Sequence, residues 1–283
     1  MATFLHSSLV YGPVHSRRLG VSLGVNLNPT DGKHCSFDCV YCENGTNAQR
    51  RTSTPFPSGE RVVGALGERL RQMAAEGVSP DVITLAGNGE PTLNPDFPEV
   101  VDGALRLRDG LCPTAKVAVL SNATRAGDPR VHAALMRVDD NILKLDTVDP
   151  DAIRHIDRPV GPYDVDQVVS TLASFGGHVI VQTIFLGGEV DGQPIDNTGE
   201  RYVGPWLRAL ERIAPQAVTV YTIARETPYP GLRKAPRATL DAICQRVRDL
   251  GIPCSASYQP LGGVGMAFVC GGPAMGRIPS GTG

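Results

Sequence analysis

Short apolar runs rich in β-branched residues alternate along the chain with longer segments whose apolar residues recur every three or four positions. The runs predict strands at Ser22–Leu27, Val82–Ala86, Lys116–Leu120, Ile142–Leu145, His178–Phe185 and Ala217–Thr222. Several have apolar residues at successive positions, as strands buried on both faces do. The longer segments predict helices at Gly59–Glu76, Pro98–Leu107, Arg130–Met136, Asp164–Ser174, Gly204–Ile213 and Arg237–Leu250. This alternation indicates an α/β fold with a mainly parallel sheet.

Six strands leave two arrangements open, a partial barrel or an open doubly wound sheet. In both, the residues that follow the strands meet at the carboxyl edge of the sheet, where ligands bind. Polar motifs follow four of the predicted strands, namely Asn26-Leu-Asn28, Gly87-Asn-Gly-Glu90, Ser121-Asn122 and Lys144-Leu-Asp146. We therefore expect one active site at that edge.

Composition adds limits on partners and location. Of the 283 residues, 41% are hydrophobic and 20% charged, as in globular proteins with a sizeable core. The net charge of −2 gives no reason to expect tight nucleic-acid binding, although Arg17–Arg18 and Arg50–Arg51 form local basic pairs. The amino terminus lacks a signal-peptide pattern, and no segment reaches the ~18 apolar residues of a membrane span. We expect a cytoplasmic protein without a membrane partner.

Three of the seven cysteines, Cys35, Cys39 and Cys42, lie within eight positions. Such crowding is typical of metal binding in a reducing compartment, and iron–sulfur clusters are held by cysteine thiolates. Three ligands would leave one iron of a cubane open. Structural zinc and ferredoxin-type clusters normally take four protein ligands, and the next cysteine is Cys112. The spacing favours a cluster with an open site, while zinc binding and simple electron transfer remain the alternatives.

The Cys-x3-Cys-x2-Cys spacing, with Tyr41 before the last cysteine, resembles the radical S-adenosylmethionine (SAM) superfamily. Gly87-Asn-Gly-Glu-Pro91 resembles the glycine–glycine–glutamate element of that superfamily, with Asn88 as a variant. The segments Tyr11–Asn26 and Val220–Arg225 are similar to iron–sulfur oxidoreductases related to the wyosine-tRNA synthesis enzymes.

This resemblance implies a partial (β/α)6 TIM-like barrel over residues 1–225, followed by a C-terminal helix and Gly-rich extension over 226–283. It implies a [4Fe-4S] cluster on Cys35, Cys39 and Cys42, with S-adenosylmethionine as the second cofactor. An external one-electron reductant would drive reductive cleavage of S-adenosylmethionine, and hydrogen abstraction from a substrate would follow.

The resemblance also implies a cofactor pocket made of Tyr41, Gly87, Asn88, Gly89, Glu90, Ser121, Asn122, Asp146 and Gln182. Ordinary structural roles stay open for several of these residues. Glu90 could cap a helix, Asn122 could cap a turn, and Gln182 could be a satisfied polar residue of the core. For the two glycines, the expectation is a close approach of the backbone to the cofactor.

Three expectations concern the reaction itself. Lys144 is expected to form an ion pair rather than a Schiff base, which would require a lowered pKa. Cys270, in the Gly-rich tail, is a candidate hydrogen-atom donor to a substrate radical. The slightly acidic balance favours a small-molecule substrate, whereas tRNA or a protein partner remains open. A non-catalytic iron–sulfur or zinc-binding protein is the alternative of a different class.

Overall fold

The computed structural model describes residues 4–16 and 20–258, and at its centre is a largely parallel sheet. In sheet order, with labels following the chain, the strands are β1 (Val10–Ser16), β2 (Gly20–Val25), β3 (Val82–Leu85), β4 (Lys116–Ser121), β5 (Asp140–Lys144), β6 (Ile180–Ile184), β9 (Ala217–Tyr221) and β11 (Cys254–Ser257). The β1–β2 pair is antiparallel, and all later pairs are parallel. The predicted α/β class is confirmed.

Seven helices lie between these strands in the described residues. They are α1 (Gly59–Ala75), α2 (Phe97–Leu111), α3 (Pro129–Leu135), α4 (Pro150–Ile156), α5 (Val165–Ser174), α6 (Glu200–Ile213) and α7 (Arg237–Asp249). Six correspond to predicted helices, and α4 is the addition. Asp149 caps α4 by accepting a hydrogen bond from the amide of Ala152 at 2.9 Å.

Both faces of the parallel strands are buried, which explains their successive apolar residues. Ile83 and Leu85 belong to the main core that contains the apolar stripe of α1, including Val62 and Leu66. On the opposite face, Val82 belongs to a separate apolar cluster with residues of three neighbouring strands. Burial on two faces therefore produced the runs that predicted the sheet.

Trp206 of α6 marks the centre of the main core, where it is 1% exposed. Its indole nitrogen donates a hydrogen bond to the carbonyl of Leu145 at 3.1 Å. The ring packs edge-on against Phe185, with the centroids 5.4 Å apart. The helix layer is thus connected directly to the segment that follows β5.

A second, three-stranded sheet was not predicted. It consists of β7 (Leu186–Val190), β8 (Gln193–Asp196) and β10 (Leu232–Lys234), with β7 in the middle. Its apolar residues join Val40 and Ile184 in a small core beside the cysteine loop. The predicted strand His178–Phe185 thus leads directly into β7.

The segment predicted as a C-terminal extension contributes to the main sheet. It contains β10, α7 and β11, and β11 pairs in parallel with β9, with Cys254 opposite Val218. Cys270 lies outside the described residues. Over the ranges that the structure describes, no helix is both long and apolar enough to cross a membrane.

Candidate active site

A cavity at the carboxyl end of the parallel strands brings together most of the predicted site residues. Those that line it are Cys35, Cys39, Tyr41, Cys42, Gly87, Gly89, Glu90, Ser121, Asn122 and Gln182. Lys144 also lines it, with Tyr221 and Arg225 at and beyond the end of β9. Asn88 and Asp146 are buried and do not form part of this wall. Residues from five strand ends thus converge on the cysteines.

The cysteine loop is attached to the turn after β3 by an isolated β-bridge between His34 and Gly89. The amide of His34 donates to the carbonyl of Asn88 at 3.2 Å, and the amide of Glu90 donates to the carbonyl of His34 at 2.8 Å. Gly89 has φ +124°, and a β-carbon there would lie 1.9 Å from the His34 oxygen. Gly89 therefore allows the two segments to pair.

Gly87 has a similar role. Its φ is +142°, and a β-carbon would lie 2.3 Å from the side-chain oxygen of Asn26. That oxygen accepts hydrogen bonds from the amides of Asn28 and Asn88, at 3.1 and 3.0 Å. The backbone of Gly87 thus closely approaches the polar motif after β2, and its approach to the cofactor stays a prediction.

The far side of the cysteine loop rests on α4. The amide of Val40 donates to the carbonyl of Ile156 at 2.9 Å, and the amide of Asp38 donates to that of Arg158 at 3.0 Å. Phe37 forms an isolated bridge with Pro159. The helix α4 and the residues after it, which the sequence did not predict as a helix, therefore hold the segment between the first and last cysteines.

Glu90 caps a short helical turn, which was the alternative to a direct role in cofactor binding. Its side chain is buried, and one oxygen accepts from the amide of Thr92 at 3.0 Å, at the start of a 3-10 turn over Pro91–Leu93. The other oxygen accepts from the amide of Asn122 at 2.7 Å. Burial raises the pKa of Glu90, and these hydrogen bonds partly offset the shift. Glu90 thereby connects the ends of β3 and β4.

Asn122 both caps a turn and faces the cysteines. Its side-chain oxygen accepts from the amide of Thr124 at 3.1 Å. Its nitrogen donates to the hydroxyl of Ser36 at 3.0 Å and lies 3.7 Å from the Cys35 sulfur. The neighbouring Ser121 hydroxyl accepts from the amide of Ala123 at 3.0 Å. Asn122 is thus the predicted residue with a direct contact to a cluster cysteine.

The Asn88 side chain points away from the cavity and bonds to backbone instead. Its nitrogen donates to the carbonyls of His6 and Pro29, each at 2.9 Å. Its oxygen accepts from the amide of His6 at 2.8 Å. Asn88 therefore holds the amino-terminal segment against the loop that follows β2.

Tyr41, Lys144 and Asp146 form a connected polar cluster next to Cys39. The Lys144 ammonium donates to the hydroxyls of Tyr41 at 2.6 Å and Tyr221 at 2.8 Å. It also pairs with Asp146 at 3.2 Å, and Asp146 accepts from the Tyr41 hydroxyl. A second oxygen of Asp146 accepts from the amide of Ile184 at 2.9 Å. Two donors of the ammonium are thus used by the tyrosines, and its charge is paired with the carboxylate of Asp146.

Two pKa shifts follow from this cluster. Burial disfavours the charged form of Lys144, but the carboxylate of Asp146 outweighs it and raises the pKa of Lys144 well above its ordinary value. Burial and the negative charge of Asp146 raise the pKa of Asp157, whose side chain also accepts from Tyr41 at 3.3 Å. Lys144 is therefore a protonated, ion-paired residue, in agreement with expectation.

Lys33 was not predicted, although it lies two positions before Cys35 and lines the cavity. Its ammonium donates to the carbonyl of Gly45 at 2.9 Å and lies 3.9 Å from Asp38. Burial tends to lower the pKa of Lys33, but the negative charge that the three cysteines carry as thiolates, together with that of Asp38, raises it overall. The sequence indicated this residue only by placing a lysine two positions before the first cysteine.

Comparison with known proteins identifies the family. The profile of the radical SAM superfamily matches residues 30–202, which contain all three cysteines and the turn at Gly87–Glu90. A UPF0026 protein of Synechocystis is 34% identical over 228 residues, which are 77% of each chain. The chain belongs to the UPF0026 family of radical SAM enzymes. The non-catalytic alternative is therefore set aside.

Solved structures share the fold of this radical SAM enzyme. A radical SAM methyltransferase from Sphaerobacter thermophilus matches with a TM-score of 0.61 and 16% identity, over 84% of this chain and 66% of that one. TYW1 with a lysine–pyruvate adduct matches with a TM-score of 0.56 and 14% identity, over 81% and 73% of the two chains. The partial TIM-like barrel is thereby confirmed. At these identities the likeness concerns the fold alone.

Membership of the radical SAM family implies an iron–sulfur cluster and SAM, and the donor set fits the cluster. Three half-buried thiols face one cavity. No three His, Cys, Asp or Glu side chains in the described ranges converge as ligands of a single ion. Burial raises the pKa of Cys35 to about 12 and that of Cys39 well above its ordinary value. Binding of iron therefore requires Cys35 and Cys39 to lose their protons against this shift.

Proposed function

We propose that this enzyme holds a [4Fe-4S] cluster on Cys35, Cys39 and Cys42 and uses it to cleave S-adenosylmethionine reductively. The observation that carries the proposal is the shared cavity of the three thiols and the Gly87–Glu90 turn. When bound, the cluster and S-adenosylmethionine supply one-electron bond cleavage and hydrogen abstraction from a substrate. The protein binds, orients and shields them.

The residues that line the cavity suggest which of them would bind the cofactors and which would position other residues. The backbone of Gly87 and Gly89 and the side chains of Ser121, Asn122 and Gln182 offer hydrogen-bonding groups for the amino acid and ribose parts of S-adenosylmethionine. Tyr41 offers an aromatic ring. Glu90, Asn88 and Asp146 act as positioning residues, because their side chains bond to other parts of the protein. Cys270, as a hydrogen-atom donor, stays a prediction.

A small molecule is our proposed substrate. Tyr221, Thr222 and Arg225 line the side of the cavity formed by the end of β9, and Arg225 pairs with Glu43 at 2.8 Å. This wall has hydroxyl and charged groups for a compact polar substrate. The net charge of −2 also favours a small molecule over a nucleic acid. An external one-electron reductant completes the proposed set of partners.

Modification of a tRNA base is the second candidate, and it rests on the resemblance of Tyr11–Asn26 and Val220–Arg225 to relatives of the wyosine-tRNA synthesis enzymes. A Schiff base on Lys144 is not part of this candidate. Its ammonium donates to the hydroxyls of Tyr41 and Tyr221 and is ion-paired with Asp146, contacts that favour the charged form, whereas a nucleophilic lysine must lose its proton. A protein substrate is supported only by the length of the Gly-rich tail.

Anaerobic reconstitution tests the proposed chemistry. The protein is loaded with iron and sulfide, mixed with S-adenosylmethionine and dithionite, and assayed for 5′-deoxyadenosine by chromatography. We expect product from the wild type and none from Cys39→Ala. Cys112→Ala is the matched control because Cys112 is buried in the main core, away from the cavity. A loaded wild type that forms no product, with substrate fractions present, contradicts the proposal.

The same assay separates the substrate classes. Reactions receive either the small-molecule fraction of a cell extract or purified tRNA, and the rate of 5′-deoxyadenosine formation is compared with that of the enzyme alone. Stimulation by the small-molecule fraction supports our proposal. Stimulation by tRNA alone reverses the preference.

A further inference from the structure

Lys33 is a charged side chain with unusually little access to water. Its side chain is 1% exposed, and lysine is almost never fully buried unless it is paired. In the described part of the chain its hydrogen bond goes to the carbonyl of Gly45, a neutral acceptor, at 2.9 Å. This bond leaves two of the three ammonium donors for other partners.

The nearest carboxylate compensates the charge only in part. Asp38 lies 3.9 Å from the ammonium, beyond hydrogen-bonding distance. The same oxygen accepts a bond from the amide of Asn47 at 2.6 Å, and the Asp38 side chain is 27% exposed to solvent. Lys33 therefore has more buried charge than this pairing neutralises.

The ammonium of Lys33 shares the cavity with the three cysteines. Lys33 interacts electrostatically with Cys35, Cys39 and Cys42, and all four residues line the same cavity. Lys144 is the other lysine that lines the cavity; its side chain is 17% exposed, and its ammonium is paired with Asp146 at 3.2 Å. Lys33 thus interacts with all three cysteines, while its nearest carboxylate in the described site lies beyond hydrogen-bonding distance.

We propose that Lys33 is the buried counter-ion of the cluster, an inference that rests on the proposed function. A cluster on three thiolates carries negative charge, and each added electron makes it more negative. A fixed ammonium in a dry site stabilises the reduced form more than the oxidised form and raises the reduction potential. Lys33 therefore makes the cluster easier to reduce by the external reductant.

The test compares Lys33→Gln with Lys33→Arg. Glutamine keeps a donor for the Gly45 carbonyl and removes the charge, whereas arginine keeps the charge. Both proteins are reconstituted anaerobically, their iron and sulfide are measured, and the midpoint potential is determined by titration followed with electron paramagnetic resonance. For Lys33→Gln we expect the equilibrium constant for reduction to fall by at least about tenfold, which is about 59 mV for one electron.

Arg51→Gln is the matched control. Arg51 is exposed and lines a second cavity, more open to solvent than the first, which Cys35 and Lys33 also line. Water and salt screen an exposed charge, so this variant is expected to keep the wild-type potential. A shift in Lys33→Gln but not in Arg51→Gln or Lys33→Arg identifies the buried charge as the cause.

Two results overturn the inference. One is a wild-type potential in fully loaded Lys33→Gln. The other applies if Lys33→Gln does not retain iron: an equal loss of iron from Lys33→Arg then contradicts the inference. If Lys33→Arg retains iron and Lys33→Gln does not, the result supports the counter-ion role. The potential is measured without S-adenosylmethionine, so failure of the inference leaves 5′-deoxyadenosine formation intact. If the cluster assembles but does not cleave S-adenosylmethionine, the potential shift is still measurable, so the two failures are distinguishable.

Discussion

At the scale of single residues, Gly89 couples the two motifs of the site. The two motifs lie more than forty positions apart in sequence, and the His34–Gly89 bridge brings them together. A spacing pattern identifies each motif separately. The bridge adds that one glycine controls their relative position.

Gly89→Ala is expected to destabilise the protein by about 3 kcal/mol, because the new methyl group would displace the His34 carbonyl and strain the backbone. Gly77→Ala provides the control. Gly77 also has positive φ, +70°, but nothing lies within 4 Å of its β-carbon position, so a cost of about 1–2 kcal/mol is expected. Urea unfolding followed by circular dichroism measures both, and equal costs would contradict a role for the bridge.

His6 gives the protein a specific sensitivity to acid. Its ring stacks on Tyr11, with the centroids 3.5 Å apart, and is buried. Burial, aided by the positive charge of Arg225, lowers the pKa of His6 from 6.5 to about 4. The unfolded chain therefore binds a proton that the folded protein does not. The stability is present above pH 6.5 and is lost as the pH falls towards about 4.

We expect wild-type protein to lose roughly 2–3 kcal/mol more than His6→Gln on going from about pH 7 to about pH 4.5. Urea midpoints of the apo proteins at the two pH values measure the difference. Parallel pH dependence of wild type and variant would show that His6 is protonated equally in both states.

Residues close together in sequence were the predictable part of the site. The cysteine spacing indicated a cluster before any fold was known, because three thiols in one short loop can face one ligand. Lys33 and Tyr221 could not be recognised in the same way, because only the folded structure shows that their side chains line the same cavity as the cysteines. Asn88 lies inside a recognised motif, yet its side chain bonds to the backbone of His6 and Pro29.

At the scale of elements, the parallel strands were predictable because both of their faces are buried. Val82–Ala86 was predicted and β3 spans Val82–Leu85. The missed elements have weaker patterns. Gly12 and Pro13 interrupt β1, Gly187 and Gly188 lie within β7, and α4 has only seven residues. The strands β1 and β7 are held by pairing with neighbouring strands rather than by their own periodicity.

The strand β11 allows a test of where the folded unit ends. It covers the edge of β9, so a chain that stops after Leu250 would leave that edge unpaired. We expect this truncation to aggregate or to lose cooperative unfolding. A chain that stops after Tyr258 keeps every strand of the described sheet and is expected to unfold cooperatively. Circular dichroism and gel filtration compare the two.

The longer truncation also tests Cys270. If this residue donates hydrogen to a substrate radical, the chain ending at Tyr258 will bind the cluster but lose product formation. Unchanged product from that chain, or from Cys270→Ala, would remove the residue from the reaction.

At the scale of the whole molecule, the charge balance predicts weak contact with nucleic acid. With a net charge of −2, binding to tRNA is expected to be no tighter than roughly 10⁻⁴–10⁻⁶ M near physiological salt, the range of non-specific complexes. Filter binding over a series of salt concentrations measures it. Tight binding at high salt would favour the tRNA candidate over a small molecule.

The fluorescence of Trp206 can report on the occupancy of the active site. It is the one tryptophan of the chain, and its indole bonds to the carbonyl of Leu145, directly before Asp146. Native emission on selective excitation therefore comes from a single ring in the core, close to the residues that hold Tyr41 and Lys144. Iron–sulfur clusters absorb in the near ultraviolet, so loading the cysteines is expected to quench this emission. The enzyme thus contains its own optical reporter of cluster assembly.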